Sequence, residues 1–364
     1  MICQSPLQSL RKSGRHMGHI GLIALALFVA AVSAQAAPTQ DGALKVFFVD
    51  VEGGQSTLFV TPAGQSLLID TGWPGHSYRD ADRIAAVAKQ AGITRIDYVL
   101  LTHFHDDHVG GVPQLVDRIP VGTFIDHGPN RETTDKVTEH GYEAYQQVLA
   151  SGKYKHITAK PGDVLPVGGI KATVISADGN LIQNPLPGAG QPNPFCKQSE
   201  TRPADQTENA RSLGILINFG KLRILDLGDL TWDKEMQLMC PANKLGQVDI
   251  LVVSHHGWYQ SSSPALVDAI HPRVAIMDNG ATKGGSTPTL QTIKQISGLQ
   301  TLWQIHYSDE GGAAHNTAPE YIANPQGSAD QDAGHYLELT ASPSGSFDIL
   351  NSRTSATKHY AATR

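Results

Sequence analysis

Cysteine is nearly absent, with three residues in a chain of 364, and the first, Cys3, falls within the N-terminal 36 residues. The remaining two, Cys196 and Cys240, lack the close pairing of a structural zinc knuckle, which excludes that kind of metal site. As an even pair they either form one disulfide in an oxidising compartment or stay as two buried thiols. Basic charge is also short. The chain has 28 Lys and Arg against 34 Asp and Glu, and its first 36 residues hold three of the basic residues and none of the acidic ones, so the remainder carries −9. A nonspecific nucleic-acid binder usually announces itself by a basic excess, so this balance argues against a DNA or RNA substrate unless a local basic groove compensates. No serine or cysteine has the flanking glycines of a nucleophile elbow, which argues against that covalent mechanism. There is no short tandem repeat, and past residue 36 no apolar run is long enough to span a bilayer.

The first 36 residues carry the three parts of a secretory signal. Arg11, Lys12 and Arg15 form a basic start, Ile20 to Val32 is an apolar run too short for a comfortable permanent span, and Ala34-Gln35-Ala36 is a small-x-small cleavage site. The expectation is cleavage near Ala36 and a secreted or periplasmic domain over residues 37–364 with no membrane association. The alternative is retention of the same segment as an N-terminal anchor.

Short aliphatic and β-branched runs bounded by glycine, proline or aspartate predict strands at 45–51, 56–61 and 66–70, in an antiparallel meander. Apolar residues at helical spacing follow over 79–91, then a fully apolar, buried-strand run at 96–101. The order repeats with a helix over about 108–119, a strand at 121–126 and a helix near 134–150. Residues 178–208 are rich in Gly, Pro, Asn and Gln and predict one long surface loop holding Cys196. The second half resumes with a hairpin turning at Gly220, then alternates strand and helix to a final strand pair at 335–340 and 346–350. This pattern predicts an α/β sandwich, two sheets face to face with helices on both outer surfaces.

The chemistry concentrates in Thr102-His103-Phe104-His105-Asp106-Asp107-His108, directly after the buried strand. Alternation along an extended stretch points His103 and His105 to one side, and the turn into a helix brings Asp107 and His108 to a second position beside them. Imidazoles plus a carboxylate suit Zn2+, and less selectively Mn2+ or Fe2+, in an open catalytic site. A His-rich scavenging tract would be repetitive and exposed, whereas this segment lies between an apolar strand and an apolar helix.

These residues resemble the HxHxDH motif of the metallo-β-lactamase superfamily, and the resemblance runs over most of residues 37–364. Strings such as LLIDTG, LDLGDL and ILVVSHHG look particularly like the β-lactamase-like domain of competence-type DNA-uptake proteins and its free-standing exported relatives. The resemblance implies a metallo-β-lactamase αββα sandwich holding two Zn2+ ions. It assigns His103, His105, Asp107, His108 and Asp229 as ligands with Asp229 bridging, His255 or His256 completing the second metal, and Asp70 supporting the histidines from behind. Position slightly favours His255 over His256. Two features depart from the pattern: Glu52-Gly53-Gly54-Gln55 replaces a glycine-glutamine-glycine-aspartate turn, and the third histidine of the first metal has no clear counterpart. Asn209 stands where the competence-type pattern has an asparagine, so an oxygen ligand or water would complete that metal. His127, at a strand end, either lines the cleft or is an ordinary loop histidine.

The function implied is an exported hydrolase in which metal-activated water, oriented by Asp107 and Asp229, cleaves an ester, lactone or phosphodiester. The alternatives are a nuclease-like phosphodiesterase and a non-catalytic metal-binding or sensing protein, the latter motivated by the missing histidine. The partner is a small-molecule or phosphodiester substrate.

Overall fold

Alternation along the first strand already sets the layering, because Leu44, Val46 and Phe48 bury on one side of it and Phe47 on the other. A computed structural model describes residues 42–326 and 333–363; the signal expected over 1–36 lies outside them. The meander is present as β1 (Leu44–Phe48), β2 (Thr57–Val60) and β3 (Ser66–Ile69). It continues through α1 (Arg79–Gln90), β4 (Ile96–Leu100), α2 (Asp106–Val109), α3 (Val112–Val116), β5 (Val121–Asp126), α4 (Lys136–Ala150) and β6 (Lys155–Thr158), with β3 to β6 parallel.

The second sheet opens with β7 (Lys171–Ala177), β8 (Asn180–Leu181), β9 (Gly214–Phe219) and β10 (Leu222–Asp226), all antiparallel. It then adds α5 (Trp232–Met239), β11 (Ile250–Val252), α6 (Pro264–Ile270), β12 (Val274–Met277), α7 (Thr287–Gln295), β13 (Thr301–His306), α8 (Gly312–His315) and β14 (Ile322–Asn324), with β10 to β14 parallel. The chain returns to the first sheet as β15 (Leu337–Ala341), β16 (Phe347–Asn351) and β17 (Ala356–Tyr360). The sheets run β17-β16-β15-β1-β2-β3-β4-β5-β6 and β14-β13-β12-β11-β10-β9-β7-β8.

Three apolar layers hold these sheets. Val46, Phe59, Leu67, Ile217, Ile224 and Ile276 fill the space between them; Phe47, Leu68 and Val99 pack against Ile84 and Leu115 on one outer face; Leu225, Leu251 and Ala275 pack against Leu238, Leu266 and Leu290 on the other. The expected α/β/β/α sandwich is therefore found. No helix among the described residues is long and apolar enough to cross a membrane.

The helix expected over 108–119 is two short ones. The Gly111 N–H goes to the Gly72 carbonyl instead of back into the helix, and a Cβ on Gly111 would stand 2.1 Å from the Thr71 carbonyl oxygen. The backbone crosses the β3 exit there at a distance only glycine allows. The 178–208 loop is fastened rather than free: Cys196 and Cys240 form a disulfide, and Leu186, Gly190 and Asn193 donate backbone bonds to residues 241–244.

Candidate metal centre

The functional side chains gather where strands end. Asp70 follows β3, the histidine motif follows β4, Asp229 follows β10, His255 and His256 follow β11, and Asp278 follows β12, so both sheets contribute to one rim. Asp70, His255 and His256 have φ of 57°, 58° and 52°, in the left-handed region that non-glycine residues occupy at a cost of about 1–3 kcal/mol each.

Four imidazoles surround Asp229 and a fifth, His105, stands beside His103; each has its outer nitrogen near an oxygen. His108 Nδ1 lies 2.7 Å from Asp70 Oδ2, His103 Nδ1 3.0 Å from Thr102 Oγ1, and His105 Nε2 3.0 Å from Glu132 Oε2. His255 Nδ1 lies 3.4 Å from Ser261 Oγ, whereas His256 Nδ1, 3.5 Å from Asp278 Oδ1, has an ionic neighbour but no hydrogen bond. Tying one nitrogen this way fixes the ring and leaves the other as a lone-pair donor to a cation. The inner Nε2 atoms of His108, His255 and His256 lie 3.3, 3.5 and 3.5 Å from Asp229 Oδ2, and that of His103 lies 3.9 Å away. His105 instead turns Nδ1 inward, 3.1 Å from His103 Nε2. Asp70 itself accepts from the Thr102 N–H and Oγ1, at 2.8 and 2.7 Å.

Asp107, His108, Asp229 and His256 form one compact group, with one ligand atom from each within 4.8 Å of the others. His108 Nε2 and His256 Nε2 face each other at 3.1 Å, beside Asp107 Oδ2. Burial pushes against the charged forms of both Asp107 and Asp229, yet Lys283 and His108 hold Asp107, and the surrounding histidines hold Asp229, well below the usual carboxylate range. Conversely, burial and Lys283 oppose a charge on His256, but Asp229 and Asp278 raise it. The two buried, ionised carboxylates thus favour a charge on His108 and His256, while burial outweighs them at His103 and His255 and keeps those rings neutral. Asp229 Oδ1 and Asn209 Oδ1 are buried without a hydrogen-bond partner among the described residues. Converging imidazole nitrogens, paired carboxylates and orphaned oxygens fit a divalent cation.

The structure brings together all seven sequence-predicted ligands and Asp70. His256, rather than His255, joins the four-residue group, while His255 Nε2 meets Asp229 and lies 3.4 Å from Asn209 Nδ2. His127 is buried, 2.9 Å from Glu208 Oε2 and against the Phe104 ring, so it does not enter the cluster. Glu132, Asp278 and Lys283 belong to the site but stand alone in the sequence, on turns without periodicity. A cleft of about 290 Å3 adjoins the cluster, lined by His255, His256, Trp258 and Lys283; a larger cavity of about 520 Å3 lies under the long loop at Phe195 and Arg223, and holds none of the histidines.

The sequence model of the metallo-β-lactamase superfamily matches residues 50–191. The chain is similar to Recombination protein 2 of Haemophilus influenzae, 26% identical over 250 residues, 68% of this chain and 26% of that protein. It is also similar to hydroxyacylglutathione hydrolase of Stenotrophomonas maltophilia, 35% identical over 105 residues, 29% of this chain and 37% of that protein. The matched part is thus well under half the length of each relative. Among solved structures, the metallo-β-lactamase fold protein YhfI of Bacillus subtilis aligns with a TM-score of 0.45 and 12% identity, over 72% of this chain and 95% of that one.

Proposed function

This chain carries a metallo-β-lactamase superfamily domain, and from that premise we propose that it is an exported metal-dependent hydrolase acting on an ester, lactone or phosphodiester. The observation that carries the reading is the convergence of four histidine Nε2 atoms, from His103, His108, His255 and His256, on the buried Asp229 Oδ2, with His105 beside His103.

Asp107, His108, Asp229 and His256 would hold one divalent cation, Zn2+ by ligand type. His103 and His105 would hold a second, sharing Asp229. Such cations supply Lewis-acid charge and acidify water to a hydroxide nucleophile near neutral pH. The protein's own part is positional. Asp70 and Glu132 hold His108 and His105 in place, and Asp229 Oδ2, near four imidazoles, is the common point of both groups. Asp107 and Asp229, kept ionised, are the acceptors that orient an incoming water beside the cleft.

The likeness of LLIDTG, LDLGDL and ILVVSHHG to competence-type DNA-uptake proteins favours a nuclease-like phosphodiesterase as a second reading. Export is supported by the basic, apolar and Ala-Gln-Ala order of residues 11–36 and by the Cys196–Cys240 disulfide. Metal analysis of the purified protein, with a chromogenic ester, lactone, β-lactam and phosphodiester panel, tests the reading. Wild type should bind one to two zinc ions and cleave at least one class, and Asp107→Asn should lower kcat by about a hundredfold or more. Less than one bound metal and no turnover on any substrate would discard it.

A further inference from the structure

Lys283 lies in the turn Thr282-Lys283-Gly284-Gly285 between β12 and α7. Its ammonium donates to Asp107 Oδ2 and, at 3.0 Å, to the Gly53 carbonyl, and stands 5.0 Å from the centre of the Trp73 ring. The side chain is 37% exposed, on the wall of the cleft shared with His255, His256 and Trp258. Asp107 Oδ2 is also 3.1 Å from His256 Nε2 and 3.4 Å from His108 Nε2, so the ammonium and a cation held there claim the same oxygen.

Two positive groups on one carboxylate oxygen repel. With the cradle filled, Lys283 loses its share of Asp107 and retains a carbonyl and an aromatic face, neither of which cancels its charge. The four-residue group contains two carboxylates, which one dication neutralises. The residues lining the adjoining cleft include no carboxylate at all. An anionic oxygen entering the cleft would balance that charge.

We propose that Lys283 is a specificity-determining residue that binds an anionic oxygen of the substrate, so that the protein takes substrates carrying an oxyanion at or beside the cleaved bond. The cleavage rests on the hydrolase reading above; the anion binding rests only on its metal. Two sources share this chemistry: a phosphodiester, charged at the scissile group, and a neutral ester with a neighbouring carboxylate.

The test compares the zinc-loaded full chain with Lys283→Met and Lys283→Arg, zinc content and melting being checked in each. Binding of inorganic phosphate is measured by calorimetry, and kcat and KM are measured on bis(p-nitrophenyl) phosphate, mono-p-nitrophenyl glutarate and neutral p-nitrophenyl acetate. Lys283→Met should weaken phosphate binding about tenfold, the scale of one charge-assisted hydrogen bond. It should also lower the charged-to-neutral ratio of kcat/KM by about tenfold through KM, with Lys283→Arg retaining most of both. The larger loss falls on the phosphodiester if the scissile group supplies the oxyanion, and on the glutarate if a neighbouring carboxylate does. Phosphate binding unchanged in Lys283→Met, or equal losses on charged and neutral substrates, overturns the proposal. If wild type cleaves none of the three, the hydrolase reading is weakened while the phosphate titration still decides the role of Lys283.

Discussion

Asp70 shows how one buried carboxylate governs a site it does not enter. It is fully buried, takes two hydrogen bonds from Thr102, and places one oxygen 2.7 Å from His108 Nδ1. That contact fixes the tautomer that turns Nε2 towards Asp107 and Asp229. Asp70→Asn keeps the volume but removes the charge that makes His108 a stronger base. Metal affinity, measured by competition with a chromophoric chelator, should fall about 10- to 100-fold with the fold retained, as for other outer-shell partners. An unchanged affinity would mean that Asp70 serves only to join β3 to β4. The motif's first four ligands are legible because they are adjacent and follow an apolar strand. Lys283 is not, because its partner Asp107 is 176 residues away and nothing in a glycine-rich turn marks a lysine as inward-facing.

Among the elements, those with a strong period read best. β1 to β5 and α1 lie within a few residues of their expected ends because apolar side chains alternate or recur at helical spacing. β6 has no such signal, since Lys155, His156 and Thr158 on this edge strand are exposed. α5 also escapes notice, being short and mixing Asp233, Lys234 and Glu235 with its apolar residues. Glu235 gives that helix its anchoring role: fully buried, it accepts from the backbone N–H groups of Ser262 and Ser263, at 2.8 and 2.6 Å, where α6 begins. Burial raises its pKa to about 7, against those hydrogen bonds. The folded pKa exceeds the unfolded one, so the group favours folding below its ordinary pKa near 4.5, and this contribution fades as pH rises through about 7. Urea denaturation of wild type and Glu235→Gln from pH 5 to 8 should show wild type losing more stability than the variant, by up to about 1.4 kcal/mol per pH unit, since buried Asp226, also raised to about 7, remains in both. Parallel curves would refute the buried-charge reading.

For the whole molecule, the centre is a cross-brace. Asp107 and His108 follow a strand of the first sheet, while Asp229 and His256 follow strands of the second, so a cation held by all four would link the two halves. Binding to the folded state alone raises stability by about 2.7 kcal/mol when free metal exceeds Kd a hundredfold. Thermal unfolding after chelation and across a zinc titration should therefore show a melting temperature that climbs with metal. A melt indifferent to zinc would argue that no cation bridges the sheets. The sandwich itself was legible because alternating strands and periodic helices leave few other ways to bury both faces. The return of the chain to the first sheet was not, since pairing across such a distance leaves no local mark.

That return has a consequence for the protein's birth. β1 lies between β2 and β15, with Leu44 opposite Ala341. On a chain emerging from the ribosome, β1 has one backbone edge bare until residues 337–341 have been translated. An unpaired edge invites pairing with foreign strands, so the order of synthesis leaves β1 open to that error until β15 has been made.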